Sequence, residues 1–411
     1  MAPASAEQHF SNRKERNMTS NSRDLTLHWF LPTYGDSRGI TSGGHGAGFH
    51  HGSREVDLDY LTQIALAAEH NGFESVLTPT GLWCEDAWIT TSALIARTSR
   101  LKFLVATRPG QVSPTIIAQQ AAAFQKFSNN RLFINIVVGG EDHEQRAFAD
   151  YSTKEERYLT SAEALTILDH LWNDPQPYSF EGKFLRIENA QLKQLPEVSP
   201  AIFFGGSSDL GIQVASRHSN VYLTWGEPVA NAKEKIDRVR READSVGREL
   251  EYGIRLHIIA RPTDEEAWDV AQRLLDGIDP AEVEKIQAGL ARSQSEGQRR
   301  MTELHHQGAG FSSGQSARVL EIEDNLWAGV GLVRGGAGTA LVGSYESVAA
   351  AIKRYYDVGF THFVLSGYPH LEETYYVGEG VVPALQKLGI SVSNHQDASN
   401  AASPQTPFLA G

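Results

Sequence analysis

The chain has 411 residues, 41% of them hydrophobic, enough to bury the core of one barrel-sized domain or two ordinary ones. A formal net charge of −13 argues against a nucleic-acid binder, because phosphate neutralisation needs a clustered excess of Lys and Arg. The single cysteine rules out an intrachain disulfide and a cysteine-cluster metal site, and is consistent with a reducing cytoplasm.

Residues 1–24 lack the apolar centre of a signal peptide and read as a disordered tail. The first strand-like run is LTLHWFLP (25–32), followed by the turn LPTYGDSRG and by SGGHGAGFHHG at 42–52. His45, His50 and His51 in that stretch are set among glycines with no carboxylate partner, which favours a flexible loop over a metal site. Further strands are expected in ESVLTPT (74–80), LKFLVAT (101–107), LFINIVV (132–138), AIFF (201–204), NVYLTW (220–225), YGIRLHIIAR (252–261) and HFVLSG (362–367). Helical spacing lies between most of them, as in DYLTQIALAAEHNG, PTIIAQQAAAFQKFS and NAKEKIDRVRREADSVG. Eight buried strands alternating with helices predict a (β/α)8 TIM barrel over 25–390. A doubly wound sheet would carry a glycine-rich turn after its first strand, and LPTYGDSRG is not one.

Two insertions interrupt the rhythm. The first, about 139–200, holds a helix around Tyr158–Asp174 and the hairpin-like FEGKFLRI. The second, about 276–342, is rich in Gly, Ser, Gln and Arg and is expected to form a mobile lid loop. The polar end, 391–411, reads as a flexible tail.

In YGIRLHIIAR, residues two apart share a face, so Arg255 and His257 point together into the barrel mouth while Ile254, Leu256 and Ile258 face the helical shell. A buried guanidinium must meet an anion, either an internal carboxylate or a sulfonate, phosphate or carboxylate ligand. Other strand ends add Cys84 with Glu85 and Asp86 in PTGLWCEDAW, and Tyr368 and His370 in SGYPHLEE. Gly205-Gly206-Ser207-Ser208 ahead of a helix start suits a phosphate, although the same residues make an ordinary turn. Trp225 in TWGEP could line a flat ring or simply fill the core.

FLPTYGD, PTGLWCEDAW, FFGGSSD, YLTWGEP, GIRLH, NLWAGVGLVRGGAGTALVG and SGYPHLEE, in this order, resemble the alkanesulfonate monooxygenases of the bacterial luciferase-like superfamily. The resemblance implies a TIM barrel that uses reduced FMN (FMNH2) supplied by a separate NAD(P)H-dependent FMN reductase. In that family the reduced flavin and O2 give a peroxyflavin that attacks the sulfonate and releases sulfite and an aldehyde, a route to sulfur. It further implies that Cys84 lies near the flavin oxygen adduct, that Arg255 and Arg334 hold the sulfonate, and that His257, Tyr368 and His370 complete the catalytic set. The flavin phosphate would fall to Ser207 and Ser208 with Tyr158, and the ring to Asn135 and Trp225. A homo-oligomer, dimer or tetramer, is also implied.

This chain departs from the family pattern at Tyr34, where histidine is usual, at Leu82-Trp83 before the cysteine, at VVGGEDHE, and in the glycine-histidine stretch. A tryptophan at the mouth stacks well on a sugar face, so a sugar sulfonate such as sulfoquinovose is the alternative substrate. More distant alternatives are a flavin-binding luciferase-like protein without turnover and a deazaflavin-dependent oxidoreductase.

Overall fold

The computed structural model describes residues 24–41, 52–306 and 311–393. The predicted tail before Asp24, the stretch with His45, His50 and His51, and the chain after Ser393 lie outside the described residues.

Eight parallel strands close into a barrel: β1 (Thr26–Phe30), β2 (Ser75–Thr78), β3 (Lys102–Thr107), β4 (Leu132–Ile136), β5 (Ala201–Phe204), β6 (Val221–Trp225), β7 (Glu251–Arg261) and β8 (His362–Ser366). Each pairs with its successor in sequence, and β8 returns to β1 with Trp29 opposite Leu365. The eight apolar runs expected from the sequence are these eight strands, shifted by one or two residues at their ends.

Alternation along each strand separates two cores. Leu27, Trp29, Phe103, Ile254, Leu256 and Ile258 face outward into the large shell beneath the helices. Phe30, Leu77, Leu104, Phe203, Val221 and Val364 face inward and fill the barrel, so it is a packed body and not a pore. At the amino-terminal end the filling turns polar: His28 bonds Ser75 at 2.7 Å and His362 at 3.0 Å, and His362 meets Glu251.

The helices between strands begin where the sequence provides caps. The side chain of Asp57 caps α1 (Leu58–His70) and that of Asp86 caps α2 (Ala87–Ile95). Pro114 opens α3 (Pro114–Ser128). A Thr153/Glu156 capping box starts α4 (Lys154–Asn173), and Ser208 caps α5 (Asp209–His218). After α4 the predicted hairpin is present as strands Tyr178–Glu181 and Arg186–Ala190.

α6 (Val229–Ser245) completes the regular alternation, and the second insertion then departs from the loop expected there. After α7 (Asp264–Asp276) it forms α8 (Pro280–Leu290), α9 (Glu296–His306) and a small sheet of Glu321–Glu323, Leu326–Trp327 and Ala340–Ser344. The last of these strands pairs in parallel with the outer half of β7, Ala340 opposite His257 and Ser344 opposite Arg261. The insertion has a core of its own, in which Trp327, Leu332, Val333 and Val342 pack with Trp268, Leu274 and Leu290. α10 (Tyr345–Asp357) then returns the chain to β8. Among the described residues no helix is long and apolar enough to cross a membrane.

One buried ion cluster fastens the insertion to the barrel. Glu227, just after β6, receives the Lys235 ammonium and two guanidinium nitrogens of Arg300 from α9. Lys235 also donates to Thr224 at 2.9 Å. Glu227→Ala would leave the Lys235 ammonium buried with no carboxylate, and breaking such a pair typically costs about 3–5 kcal/mol. The expected outcome is a clear fall in the chemical-denaturation midpoint; an unchanged midpoint would show that the cluster does not anchor the fold.

Candidate active site

The carboxyl ends of the barrel strands open into a cavity of about 320 Å³. At one end, β5 runs into the Gly205–Ser208 turn, where the Ser208 hydroxyl accepts the Gly211 amide at 3.2 Å and starts α5. Tyr158 of α4 is buried against this turn: a Cβ on Gly206 would lie 3.0 Å from its hydroxyl oxygen, so the turn closes tightly on the phenol. Lys154, one turn earlier, lines the same cavity and donates to the Gln294 carbonyl at 2.7 Å. Serine hydroxyls, first-turn amides, a phenol and an ammonium make a donor set suited to a phosphate group. Asn135 at the end of β4 and Trp225 at the end of β6 line the adjoining wall.

From β7, Arg255 and His257 reach the same cavity and belong to one hydrogen-bond chain. His257 Nε2 faces the Ala337 carbonyl at 3.0 Å, and a carbonyl only accepts, so Nε2 carries the proton. Burial, reinforced by the charges of Arg255 and Arg334, holds this imidazole well below its ordinary pKa, so it is neutral. Its Nδ1 therefore accepts from the Ser366 hydroxyl at 2.7 Å, and the Ser366 oxygen accepts from Arg255 Nη1 at 2.8 Å. Both ring nitrogens are thus occupied, and His257 ties the insertion to the carboxyl end of β8.

The Arg255 guanidinium also lies 4.5 Å above the Phe30 ring. Burial pushes its pKa down to about 10, which leaves it a cation at neutral pH. Arg334 arrives from the insertion, with its guanidinium carbon 5.1 Å from the Tyr34 ring and 5.2 Å from the Tyr368 ring. Among the described residues no ion pair involves Arg255 or Arg334, whereas Arg108, Arg261 and Arg300 each meet a glutamate. Arg334 Nη1 and the Tyr368 hydroxyl are buried without a hydrogen-bond partner. Two cations converge on the cavity with donors to spare, the arrangement that receives an oxyanion, and the Tyr368 phenol packs behind them.

The β2 end forms the aromatic wall. Trp83 and Tyr34 line the cavity with ring centroids 5.3 Å apart. Behind them Arg108 and Glu144 form a buried pair at 2.7 Å, and Glu144 also accepts the Leu82 amide. Cys84 does not line the cavity; it is half-buried beside Tyr34 and Trp83, with its sulfur 3.5 Å from the Gly81 carbonyl. Burial pushes its thiol pKa up to about 12, so it is a neutral thiol.

Of the residues singled out in the sequence, Asn135, Tyr158, Ser207, Ser208, Trp225, Arg255, His257 and Arg334 all line this one cavity. Tyr368 and His370 lie behind it: Tyr368 stacks on His257 at 5.4 Å, and His370 stands edge-on to Tyr368. The sequence reading missed Arg108, Glu144, Lys154, Glu227, Lys235 and Asp36. The aspartate was visible in LPTYGD, beside the Tyr34 that drew notice, but its partners are remote in sequence.

A family model described as luciferase-like monooxygenase matches residues 26–362. Among solved structures, the chain resembles riboflavin lyase with modified FMN and riboflavin (TM-score 0.72, 20% identity, 91% of this chain and 94% of that one). It also resembles EDTA monooxygenase from Chelativorans sp. BNC1 (TM-score 0.70, 18% identity, 91% and 96%) and long-chain alkane monooxygenase (TM-score 0.72, 17% identity, 91% and 94%). At these identities the likeness concerns the fold.

The raised pKa of Cys84 predicts sluggish chemistry for this thiol. Alkylation by iodoacetamide in the native protein should be far slower at pH 8 than for a free thiol and should still be rising at pH 10. A rate that levels off near pH 8 would mean an ordinary, ionisable cysteine.

Proposed function

The chain belongs to the luciferase-like monooxygenase family, and from that membership we propose that it is a two-component flavin-dependent monooxygenase that cleaves the carbon–sulfur bond of an organosulfonate, releasing sulfite and an aldehyde. The observation that carries the reading is the pair of buried guanidiniums, Arg255 and Arg334, facing a cavity with no ion-pair partner among the described residues. A sulfonate offers three acceptor oxygens and a permanent negative charge, which matches two cations that line the cavity with no carboxylate paired to them.

The cavity also fits reduced FMN. Ser207, Ser208, Tyr158 and Lys154 would hold its phosphate, and Asn135 and Trp225 would border its ring. When bound, the reduced flavin supplies the activation of O2. The protein's own residues bind and orient the sulfonate, and the seated insertion excludes water from the reacting atoms. His257 holds Ala337 of the Arg334 loop in place through its Nε2 hydrogen bond. Cys84 stays a neutral packing group behind Trp83. The reduced flavin would come from a separate NAD(P)H-dependent FMN reductase, in the cytoplasm.

A second substrate reading has its own support. Trp83 and Tyr34 present an aromatic wall that would stack on a pyranose face, so a sugar sulfonate such as sulfoquinovose is the alternative to a simple alkanesulfonate.

The test supplies reduced FMN, O2 and a panel of alkane and sugar sulfonates and measures sulfite. Sulfite from at least one of them is expected, and none from any member would sink the proposal. Arg334→Ala should lower sulfite release by about 100-fold or more while leaving the affinity for reduced FMN within about twofold, since Arg334 is assigned to the sulfonate. Full turnover in that variant would remove Arg334 from the anion site.

A further inference from the structure

We propose that Asp36 is a positioning residue of this site, holding His370 as a neutral imidazole with its proton on Nδ1 so that the Nε2 lone pair is kept inside the protein as the proton acceptor behind the anion pocket. The inference rests on the functional reading above. Asp36 is buried and uses both carboxylate oxygens: Oδ1 accepts from His370 Nδ1 at 2.9 Å, and Oδ2 accepts the His370 amide at 2.8 Å and the Tyr60 hydroxyl at 2.6 Å. The Tyr60 oxygen accepts in turn from Arg54, whose guanidinium grips Glu372 at 2.8 and 2.6 Å. The turn after β1, helix α1 and the turn after β8 are thereby locked together around one imidazole.

An ionised carboxylate has no proton to give, so Nδ1 must be the donor and Nε2 the bare nitrogen. Burial pushes Asp36 up, but His370 and the Tyr60 hydroxyl outweigh it and bring the carboxyl below its usual value. Burial pushes His370 down further than Asp36 restores it, so the pair is carboxylate and neutral imidazole at pH 7. His370 Nε2 is buried and has no hydrogen-bond partner. A nitrogen left in that state costs free energy, which a purely structural histidine would avoid.

The surroundings say what it serves. The His370 ring stands edge-on to Tyr368 at 5.4 Å and to Tyr34 at 6.5 Å, and tilted to Phe30 at 6.0 Å. The titratable and charged groups facing it are Tyr34 and Asp36 from the turn after β1, Arg255 and His257 from β7, Arg334 from the insertion and Tyr368 from its own turn. The proposed reaction releases one proton. The carbon bearing the sulfonate passes from CH2 to CHO and gives up one hydrogen, while the two hydrogens of the reduced flavin leave in water. Sulfite, aldehyde, oxidised flavin and water then balance only with one free proton. Taken up on Nε2, it makes an imidazolium beside the Asp36 carboxylate, a pair with no net charge. His257 cannot take this role, since both its nitrogens are engaged.

The experiment is an NMR titration of the full-length protein labelled with [15N]histidine, with His370 assigned through His370→Gln. The expected wild-type spectrum at pH 7 shows a neutral imidazole protonated on Nδ1. Asp36→Asn should erase that tautomer preference, lower kcat for sulfite release by about tenfold or more, leave reduced-FMN affinity unchanged and move the acid limb of the kcat/KM profile to lower pH. The sign follows from the lost carboxylate, whose charge makes His370 more basic. Asp36→Glu should restore part of kcat and return the limb toward wild type. A proton on Nε2, or a charged His370 at pH 7, overturns the proposal, as does an Asp36→Asn enzyme whose tautomer and pH profile match wild type. The wild-type spectrum decides even if Asp36→Asn does not fold. It does not depend on sulfonate turnover, so a failure of the functional reading would register separately, in the sulfite assay.

Discussion

Two guanidiniums inside a protein without carboxylates beside them are the constraint on which this structure depends. An unpaired buried cation is tolerated only where the surroundings are fixed and an anion completes the site. The surroundings here are fixed in layers. Phe30, Tyr34 and Tyr368 give the cations aromatic faces, Ser366 and the Leu256 carbonyl take Arg255 hydrogen bonds, and the packed barrel interior prevents collapse toward them. Asp36 acts on Arg334 only through its field, since its carboxylate oxygens are hydrogen-bonded to His370 and Tyr60 and form no ion pair with the guanidinium.

Strand β7 explains how both cations come to one place. Its first half is a barrel stave between β6 and β8, and its outer half runs on above β6 to seed the insertion's sheet. Arg255 and His257 sit at that change of partner, so the strand that points one arginine inward also carries the segment that delivers the other. The His257–Ala337 hydrogen bond and the Thr339 hydroxyl's donation to the Gly226 carbonyl at 2.9 Å close the seam. Gly226 has no room for a side chain, since a Cβ would fall 2.1 Å from Leu256. The insertion is therefore a continuation of the barrel, fastened again at its far side by Arg300 on Glu227.

The barrel was legible in the sequence because strands covered on one side by helices and on the other by the packed interior must be nearly continuous apolar runs, and eight such runs were present. Arg255 and His257 were legible for the same reason, as polar exceptions at period two. The insertion was not. α9 exposes Arg299 and Glu303, and it is held by the Glu227 cluster and the Gln298–Gly336 contact, neither of which is a local signal. The partner of Asp36 was not legible for a related reason: His370 lies 334 residues away, and only barrel closure brings β8 beside β1. Arg108 and Glu144 pair across 36 residues in the same way.

The cavity is divided by chemistry along the order of the strands. Phosphate-type donors stand at β5, the cations at β7 and the insertion, and the aromatic wall at β1 and β2. A ligand anchored at β5 and an anion held at β7 must meet in the middle of the barrel mouth, beside Asn135 and Trp225. On the proposed reading, anything attached to the anion extends toward Tyr34 and Trp83, because the insertion lines the other side of the cavity. The proposed anion site is set by buried groups, Arg255 and Arg334, that cannot change without structural cost. Trp83, held on a turn after β2 and only half-buried, is less constrained, so on the proposed reading the part of the substrate beyond a charged head is where this barrel has freedom to differ from its relatives.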